Sequence, residues 1–255
     1  LPNGRRIFNV AIRTIQLHRG RAIYGVGGGI TWDSTWESEY REVHQKAAVL
    51  YRKQPRFQLI TTGKISQKKL LFENQHLERL RKASRYFAFP FDQEVLRQKL
   101  EKECQACDLH QDYHLRISLS KSREIEIERQ VLTPLSSSFC QAKLCQQETD
   151  LEQAFTYFKT THRPHLIAGE QEIIYHTVDG KLLETSIGNL VLKMDGKLYT
   201  PPSQLGLLPG IYRQHLLENG QVEEKVLTVE DLKQAEVIYA CNAVRGLYEL
   251  SVREN

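Results

Sequence analysis

Residues 182–192, with the sequence LLETSIGNLVL, decide the fold of the C-terminal part of the chain. The pattern predicts a strand, a turn and a second strand, and it places Glu184 and Asn189 at the junction. The segment YFKTTHRP at 157–164 places Lys159 just after an apolar strand or helix end, 25 residues before Glu184. A lysine and a carboxylate at such junctions can carry acid–base or covalent chemistry.

Three further fragments indicate a site for an anion. LLPGIYRQ at 207–214 predicts a helix N-terminus with free backbone N–H groups. CNAVRG at 241–246 follows a predicted buried strand, and HLERL at 76–80 places Arg79 on the face of an amphipathic helix. Each fragment alone is weak, since most lysines and helical arginines are solvated. Together they match pyridoxal phosphate, which needs a Schiff-base lysine, an acidic partner for its ring nitrogen and a cationic cup for its phosphate.

The other predicted elements mix strands and helices without a regular βαβ repeat, which favours an α+β fold. Predicted helices cover 73–89, 92–107 and 207–220, with a short helical stretch before Phe158. Predicted strands cover 57–65, 113–120, 124–132, 171–178, 189–201 and 235–244. The last of these strands is expected to close the fold.

These motifs resemble the fold-type IV pyridoxal-phosphate enzymes, the group of the branched-chain aminotransferases and the aminodeoxychorismate lyases, over residues 56–252. KTTHR, LLETSIGN and CNAVRG are more similar to the lyases. The resemblance implies a two-domain fold and a homodimer with the site near the interface. It also implies the following roles: Lys159 as the Schiff-base lysine, Glu184 as the ring-nitrogen partner, Arg79 as the phosphate arginine, Ile211 and Tyr212 as backbone donors to the phosphate, and Asn242 as a further cofactor contact.

Three more positions concern the reaction. Thr62 matches a strand threonine thought to assist proton transfer in the lyases, but Thr61 stands where the family commonly has an acidic residue. Arg245 is a candidate for binding a substrate carboxylate, and a structural salt bridge is the alternative. Burial is expected to lower the pKa of Lys159 toward neutrality, which would let this lysine act as a base.

The N-terminal residues follow a different pattern. Residues 6–30 alternate as in a β-hairpin with a turn at HRGR, and residues 36–51 have helical periodicity. The glycine run GVGGGI at 25–30 closes the hairpin, several residues before the helix, and no Lys-Ser/Thr follows it. A nucleotide site needs such glycines at a strand-to-helix turn, so the pattern argues against nucleotide binding.

On the predicted helix, Glu39, Glu42 and Lys46 lie at i, i+3 and i+7, on one face. Two carboxylates one turn apart can share Mg²⁺, although the pattern alone is more typical of a solvated charged face. In combination, FNVAIRT, GVGGGI and ESEYREVHQKA resemble the C-terminal end of the chorismate-utilising enzymes, in particular of aminodeoxychorismate synthase component I.

This second resemblance covers only about the first 50 residues. It implies that Mg²⁺ binds to Glu39 and Glu42, that Lys46 is the active-site lysine, and that the chorismate carboxylates are held by Arg13, Gly27 and Gly28. A hairpin and one helix cannot bury enough surface to build that site, so we expect a non-catalytic remnant that binds Mg²⁺ only in the complete domain. For the complete synthase, a glutamine amidotransferase partner is implied.

Composition excludes several classes of protein. The 255 residues are 40% hydrophobic and 26% charged, as in an ordinary globular protein, and no apolar run resembles a membrane span or a signal peptide. The net charge of +4 comes without the interleaved aromatic residues or reading motif of a nucleic-acid binder. Five cysteines suit a reducing cytoplasm, and the helical pattern around Cys104 and Cys107 favours ordinary thiols over a zinc site.

We expect a chorismate-binding remnant, a small and a large domain of the cofactor fold, and a linker at 52–55, with the domains at 1–51, 56–135 and 136–255. Because the chain begins at Leu1 and its only methionine is Met194, we expect it to be the C-terminal part of a longer protein.

Together the two resemblances imply the lyase portion of a bifunctional p-aminobenzoate synthase of folate biosynthesis. The lyase eliminates pyruvate from 4-amino-4-deoxychorismate and leaves p-aminobenzoate. Two alternatives stay open. One is an aminotransferase for branched-chain or D-amino acids, and the other is an inert truncated fragment.

Overall fold

The computed structural model describes residues 14–51, 55–136, 140–148, 154–167 and 171–252. It divides into two compact units, Leu1–Pro55 and Arg56–Asn255. No helix among the described residues is long and apolar enough to cross a membrane. The predicted strand residues 6–13 and the linker residues 52–54 lie outside the described ranges.

The first unit is a short hairpin followed by one helix. Strands β1 (Ile15–His18) and β2 (Arg21–Tyr24) pair antiparallel. Their turn is formed by Arg19 and Gly20, both with positive φ, which is the backbone conformation that glycine adopts most readily. Helix α1 (Trp36–Tyr51) has the bounds that the sequence predicts, and none of its residues is buried. The glycine run lies between the hairpin and this helix, without regular secondary structure.

The second unit begins with a four-stranded antiparallel sheet and two helices. In chain order the elements are β3 (Leu59–Ser66), β4 (Lys69–Leu70), α2 (Glu73–Phe87), α3 (Gln93–Gln105), β5 (Tyr113–Leu119) and β6 (Ile125–Val131). The strand order is β4-β3-β5-β6. Asp92 caps α3 by accepting hydrogen bonds from the backbone N–H groups of Glu94 and Val95 at 3.0 and 3.1 Å. Both helices were predicted within about two residues at each end.

Alternation along the strands gives this sheet two different faces. Leu59, Ile65 and Leu115 are buried in an apolar core with residues of α2 and α3 such as Leu80 and Leu96. The neighbouring residues of each strand point to the opposite face, which is the face used by the site described below. Cys104 and Cys107 belong to the same apolar core, as ordinary free thiols.

The rest of the second unit is built on an eight-stranded sheet. Its elements are β7 (Gln141–Gln146), α4 (Ala154–Tyr157), β8 (Glu172–His176), β9 (Leu182–Thr185), β10 (Asn189–Met194), β11 (Lys197–Thr200), α5 (Ile211–Glu218), β12 (Glu223–Glu224), α6 (Val229–Gln234), β13 (Val237–Asn242) and β14 (Gly246–Val252). The strand order is β12-β11-β10-β13-β14-β7-β8-β9, and β9 also pairs with β10. That last pairing closes six strands into a ring.

The ring closes at the segment that the sequence singles out. Glu184 at the end of β9 pairs with Asn189 at the start of β10. Between them, the Thr185 N–H donates to the Gly188 carbonyl at 2.9 Å, which makes a tight turn. The predicted strand–turn–strand is therefore confirmed.

Two strand predictions were wrong. The predicted strand 189–201 is two strands, because Asp195 and Gly196 adopt positive φ and reverse the chain between β10 and β11. The predicted strand at 235–244 does not close the fold, since β14 follows it and joins β13 to β7. Strand β7 also has no counterpart among the predicted elements. The boundary proposed at residue 135 lies between β6 and β7, inside one compact unit, and stays a prediction.

The turn that closes the ring leaves no room for a side chain at Gly188. A Cβ there would lie 2.8 Å from the Cys241 carbonyl oxygen on β13. Because the neighbour is backbone, Gly188→Ala must displace one strand, and we expect it to lower the free energy of unfolding by about 1–3 kcal/mol. Urea unfolding followed by far-UV circular dichroism measures the change. Gly25→Ala is the control, since no atom lies within 4 Å of its Cβ position, and equal midpoints for both variants would contradict the prediction.

Candidate active site

The backbone of Lys159 is hydrogen-bonded to β3 of the four-stranded sheet. Helix α4 ends two residues earlier, and the Lys159 carbonyl accepts a hydrogen bond from the Ile60 N–H at 3.0 Å. Thr160 then forms a β-bridge with Leu59. Burial and the nearby positive charges of Arg79 and Arg163 lower the pKa of Lys159 to about 7. The amine can therefore be neutral near physiological pH, as the sequence predicts.

Glu184 is a buried carboxylate at the end of β9. Its side chain is 5% exposed, and its Oε1 accepts a hydrogen bond from Arg163 Nη2 at 3.1 Å. Burial raises the pKa of Glu184 to about 7, while the guanidinium of Arg163 opposes that rise. Glu184 also lowers the cost of the positive charge on Lys159, since an opposite charge favours the protonated amine.

Arg79 connects the two sheets of the second unit. It lies on α2, and its Nη2 donates a hydrogen bond to the Pro209 carbonyl at 2.8 Å, in the segment just before α5. Burial and the charge of Arg163 lower the pKa of Arg79 to about 10. The guanidinium stays protonated at neutral pH and supplies a fixed positive charge.

The start of α5 provides a cradle of backbone donors beside Arg79. Gly210 caps this helix without any side-chain hydrogen bond, so the first N–H groups remain available to an anion. A Cβ at Gly210 would lie 1.9 Å from Asn189 Oδ1. Asn189 is itself fixed, because its Nδ2 donates to the Leu208 carbonyl at 2.8 Å. Only glycine fits at this position, and the backbone is exposed to whatever the cavity binds.

These residues line one small cavity. Its walls are formed by side chains and backbone of Thr62, Arg79, Lys159, Arg163, Glu184, Ile187, Gly188, Asn189, Leu208, Gly210, Ile211, Cys241, Asn242 and Ala243. The cavity adjoins a wider cleft of about 920 Å³, and five residues line both: Thr62, Lys159, Arg163, Ile187 and Asn242. Lys159 therefore lies where the small cavity, of about 30 Å³, meets a space large enough for a substrate.

Most of the residues predicted for the site come together, but their contacts differ. Ile211 lines the small cavity, whereas the Tyr212 ring packs near Phe72, with ring centroids 6.0 Å apart. Asn242 lines both spaces, and its Oδ1 accepts hydrogen bonds from the Val244 and Arg245 N–H groups, each at 2.9 Å. Its side-chain oxygen is thus committed to a turn.

Arg245 lines the wide cleft, so it is placed for the substrate role considered from the sequence. Its Nη1 donates to the Thr133 carbonyl. The partner is a backbone oxygen and not a carboxylate, so the salt bridge considered as the alternative is not formed within the described residues.

Alternation on β3 separates the two threonines. Thr62 faces the cavity and the cleft. Thr61 points to the other face, where its hydroxyl lies 2.6 Å from Nδ1 of the buried His76 on α2. Burial lowers the pKa of His76 to about 3, so this imidazole is neutral. The residue that replaces the usual acid therefore bonds a neutral partner inside the core, away from the reacting atoms.

Three residues of the site were missed by sequence reasoning: Arg163, His114 and Arg116. Arg163 stands four residues after Lys159 and ends the KTTHR motif, but the resemblance assigns no role to it. Arg116 lies between Leu115 and Ile117, which are both buried, so its side chain is on the opposite face of β5. A charged residue at this position of the strand was the signal in the sequence that could have placed Arg116 in the site.

The wide cleft has a strongly positive lining. It contains Arg116, Lys159, Arg163 and Arg245, and no Asp or Glu occurs among the described residues that line it. The side chain of Arg116 forms no hydrogen bond or ion pair with the described part of the chain. Burial, together with the charges of Lys159, Arg245 and Arg116, lowers the pKa of His114 in the same cleft, while Glu128 on β6 opposes that change. An arginine without a carboxylate partner in such a cleft favours an anionic ligand.

Comparison with known proteins identifies the larger part of the chain. The sequence profile of the amino-transferase class IV family matches residues 58–251, about three quarters of the sequence. The chain belongs to this family. The profile of the chorismate binding enzymes matches residues 1–52, so the N-terminal resemblance is also confirmed.

One relative is a candidate aminodeoxychorismate lyase of Schizosaccharomyces pombe, which is 32% identical to this chain over 78 residues. The match covers 29% of this chain and 34% of that protein. The chain spans about a third of the length of the curated relatives it matches. Two solved structures share its fold. A candidate 4-amino-4-deoxychorismate lyase from Legionella pneumophila has a TM-score of 0.64 at 20% identity, covering 78% of this chain and 83% of that chain.

The second is the PLP-bound form of a hypothetical aminotransferase from Mycobacterium tuberculosis. Its TM-score is 0.64 at 18% identity, and the match covers 76% of this chain and 81% of that chain. At these identities the likeness shows the fold alone. It confirms the fold-type IV architecture predicted from the sequence.

The first unit keeps part of the chorismate-enzyme pattern. Glu39, Glu42 and Lys46 project from one face of α1, as predicted, and the two carboxylates lie against Gly28, at 3.1 and 3.6 Å from its Cβ position. Lys46 Nζ donates to the Gly27 carbonyl at 2.8 Å and pairs with Glu42 at 2.5 Å. Arg13 lies outside the described residues. Within those residues, no three His, Cys, Asp or Glu side chains are close enough to hold a metal ion.

The lowered pKa of Lys159 predicts how the stability of the protein without cofactor depends on pH. The ordinary lysine pKa is 10.5 and the folded value is about 7, so the unfolded state holds the proton more tightly between these values. The resulting destabilisation is fully present at and below pH 7 and is lost as the pH rises toward 10.5. Lys159→Met should therefore raise the melting temperature more at pH 7 than at pH 10.

Circular dichroism melts of both proteins at the two pH values test this expectation. Lys82→Met is the matched control, because the Lys82 side chain is 70% exposed. The control should change little at either pH. An equal effect of Lys159→Met at pH 7 and pH 10 would show that the amine titrates normally in the folded chain.

Proposed function

We propose that this chain is a pyridoxal-phosphate-dependent 4-amino-4-deoxychorismate lyase that eliminates pyruvate and yields p-aminobenzoate. The observation that carries the proposal is the cleft beside Lys159, lined by Arg116, Arg163 and Arg245 and, within the described residues, by no carboxylate. The substrate carries two carboxylates, one on its ring and one on its enolpyruvyl group. Branched-chain amino acids carry one carboxylate and an apolar side chain, which such a lining does not favour.

The small cavity fits the cofactor on the chemistry of its donors. Lys159 would hold the cofactor covalently, and Glu184 would pair with its ring nitrogen. Arg79 and the backbone N–H groups after Gly210 would hold its phosphate, since only glycine leaves that cradle open. The Mycobacterium tuberculosis protein with the same fold was solved in a PLP-bound form. When bound, pyridoxal phosphate would withdraw electrons from the ring carbon that carries the substrate amine.

The chain's own residues would then move one proton and orient two carboxylates. Lys159 Nζ would remove the proton from the amine-bearing carbon, for which a pKa near 7 suits a base at neutral pH. The bond between the neighbouring ring carbon and the enolpyruvyl oxygen breaks, the ring becomes aromatic, and the proton ends on the methylene carbon of the leaving group as pyruvate forms. Thr62 lines both spaces and would assist that transfer.

The N-terminal match supports the same assignment. Residues 1–52 match chorismate binding enzymes, and a chorismate-derived amine is the substrate that a fused lyase would consume. The Schizosaccharomyces pombe and Legionella pneumophila proteins are both named as candidate lyases of this type. We further propose that the chain forms homodimers in the cytoplasm. Residues 1–51 would be a non-catalytic remnant, and the complete synthase would use Mg²⁺ and a glutamine amidotransferase partner.

An aminotransferase is the alternative, because it would use the same cofactor residues and because solved structures of this fold include aminotransferases. The two activities differ in their products. Incubation with 4-amino-4-deoxychorismate should release pyruvate and p-aminobenzoate in equal amounts. Transfer of the amine to an α-keto acid, without pyruvate release, would instead establish the aminotransferase.

Cofactor binding is tested by spectroscopy. With added pyridoxal phosphate, the purified chain should develop an absorbance band near the visible edge that borohydride removes. Lys159→Ala should lack the band, while Lys82→Ala should keep it. Absence of the band from the wild-type protein would reject both enzyme assignments and leave the inert fragment.

The substrate assignment is tested at Arg116. If this unpaired guanidinium binds a substrate carboxylate, Arg116→Gln should raise KM for 4-amino-4-deoxychorismate by about 10- to 100-fold, since a hydrogen bond to a charged group contributes about 1.5–3 kcal/mol. The absorbance of the bound cofactor should not change. Arg129→Gln, which removes an arginine paired with Glu103, is the control. An unchanged KM in Arg116→Gln would remove this arginine from the substrate site.

A further inference from the structure

Arg163 lies between the two spaces of the site, and no role follows for it from the resemblance to the family. It lines both the small cavity and the wide cleft. The segment that carries it makes a turn, with the Leu166 N–H donating to the Arg163 carbonyl at 3.1 Å. The side chain is only 14% exposed. A guanidinium this far from water needs a partner that compensates its charge.

That partner is Glu184. Arg163 Nη2 donates to Glu184 Oε1 at 3.1 Å, and the backbone N–H of Leu208 stabilises the same carboxylate. The buried Nε of Arg163 has no hydrogen-bond partner within the described residues. Glu184 is therefore held from one side by a cation and from the other by backbone, with its remaining acceptor positions open toward the cavity.

We propose that Arg163 is a positioning residue that holds Glu184 in place and favours its ionised form, so that the carboxylate can pair with a protonated ring nitrogen of the cofactor. This inference rests on the proposed function for the identity of that cofactor. The hold of Arg163 on the carboxylate is a property of the chain alone. The same positive charge also disfavours the protonated form of Lys159, which keeps the base ready.

The charges around Lys159 and Glu184 support these two effects of Arg163. Lys159 faces Arg79 from α2, Arg116 from β5 and Arg163 from its own segment, and Glu184 is the one carboxylate among the groups that shift its pKa. Burial alone would make Glu184 neutral at pH 7, and Arg163 is the largest influence that opposes burial. Without Arg163, the Glu184 carboxyl would be protonated and would present a donor to the ring nitrogen of the cofactor. Only the ionised carboxylate can stabilise the protonated form of that nitrogen.

The first test uses the chain without cofactor. The Glu184 carboxyl carbon is followed by ¹³C NMR across pH 5–11, with Glu184→Gln used to assign the signal. Arg163→Gln should raise the pKa of Glu184 by about 1–3 units, the usual effect of removing an opposite charge at this range, and Arg163→Lys should restore most of the shift. Arg129→Gln should leave the titration unchanged. An unchanged Glu184 titration in Arg163→Gln would overturn the proposal.

The second test uses the loaded protein and separates the proposal from a purely structural role. The pH midpoint of the cofactor absorbance should move in Arg163→Gln and return in Arg163→Lys, although both variants lack the native side chain. If Arg163→Gln does not fold, the comparison of Arg163→Lys with wild type decides, since a retained charge predicts near-wild-type midpoints. If the wild type takes up no cofactor, the proposed function fails, while the NMR titration still decides the hold of Arg163 on Glu184.

Discussion

The closure of the ring between β9 and β10 is the constraint on which the site depends. A buried carboxylate, Glu172 on β8, holds the turn that makes the closure. It accepts hydrogen bonds from the Ser186 hydroxyl at 2.6 Å, the Ile187 N–H at 3.1 Å and the Tyr248 hydroxyl at 3.2 Å. Fully buried charges are costly unless such donors compensate them. With the turn fixed, Glu184 and Asn189 face each other, which positions the Glu184 carboxylate and, through Asn189, the backbone at Gly210.

The site collects more positive than negative charge away from water. Arg79, Lys159 and Arg163 lie around Glu184, the one carboxylate among the described residues that line the small cavity. Burial disfavours the charged forms of Arg79, Lys159 and Glu184. Glu184 opposes this effect at Arg79 and Lys159, and Arg163 opposes it at Glu184. Such an arrangement destabilises the protein without ligand. It also prepares the site for an anion, because a bound phosphate would supply the missing negative charge and stabilise the folded state in proportion to its affinity. The same charges that weaken the fold are those that lower the pKa of Lys159.

Local patterns allowed most elements of the fold to be predicted. Helices α1, α2 and α3 follow from apolar periodicity, and the β9–β10 turn follows from threonine, serine and glycine between apolar runs. The break between β10 and β11 was missed although Asp195 and Gly196 form an Asp-Gly pair between two apolar runs, which is a local signal for a two-residue hairpin. β7 was missed because its partner strands β14 and β8 are distant in sequence, and pairing at such separations leaves no local signal. β14 pairs with the neighbouring β13 through a short turn between Asn242 and Gly246, and it was missed because no strand was predicted after residue 244.

For the site, the motifs placed Lys159, Glu184 and Arg79, and they gave no hint of Arg163 as the partner of Glu184. That ion pair depends on a turn after Lys159 and on the buried end of β9, which only the tertiary fold brings together. Arg116 was missed for a related reason. Its free guanidinium is recognisable once the cleft is known to lack carboxylates within its described lining.

The two units show that a matching set of residues is weaker evidence of function when its members are close in sequence than when they are distant. In the first unit, the contacts among Glu42, Lys46 and Gly27 join one helix to the preceding loop, and a helix with the same spacing forms them without the rest of a chorismate-binding domain. Their survival therefore says little about activity, and α1 buries no residue that would complete a site. In the second unit, Lys159, Glu184 and Arg79 come from three elements 25 to 105 residues apart in sequence. Such a set meets only if the whole fold forms, so its geometry is the stronger argument for function.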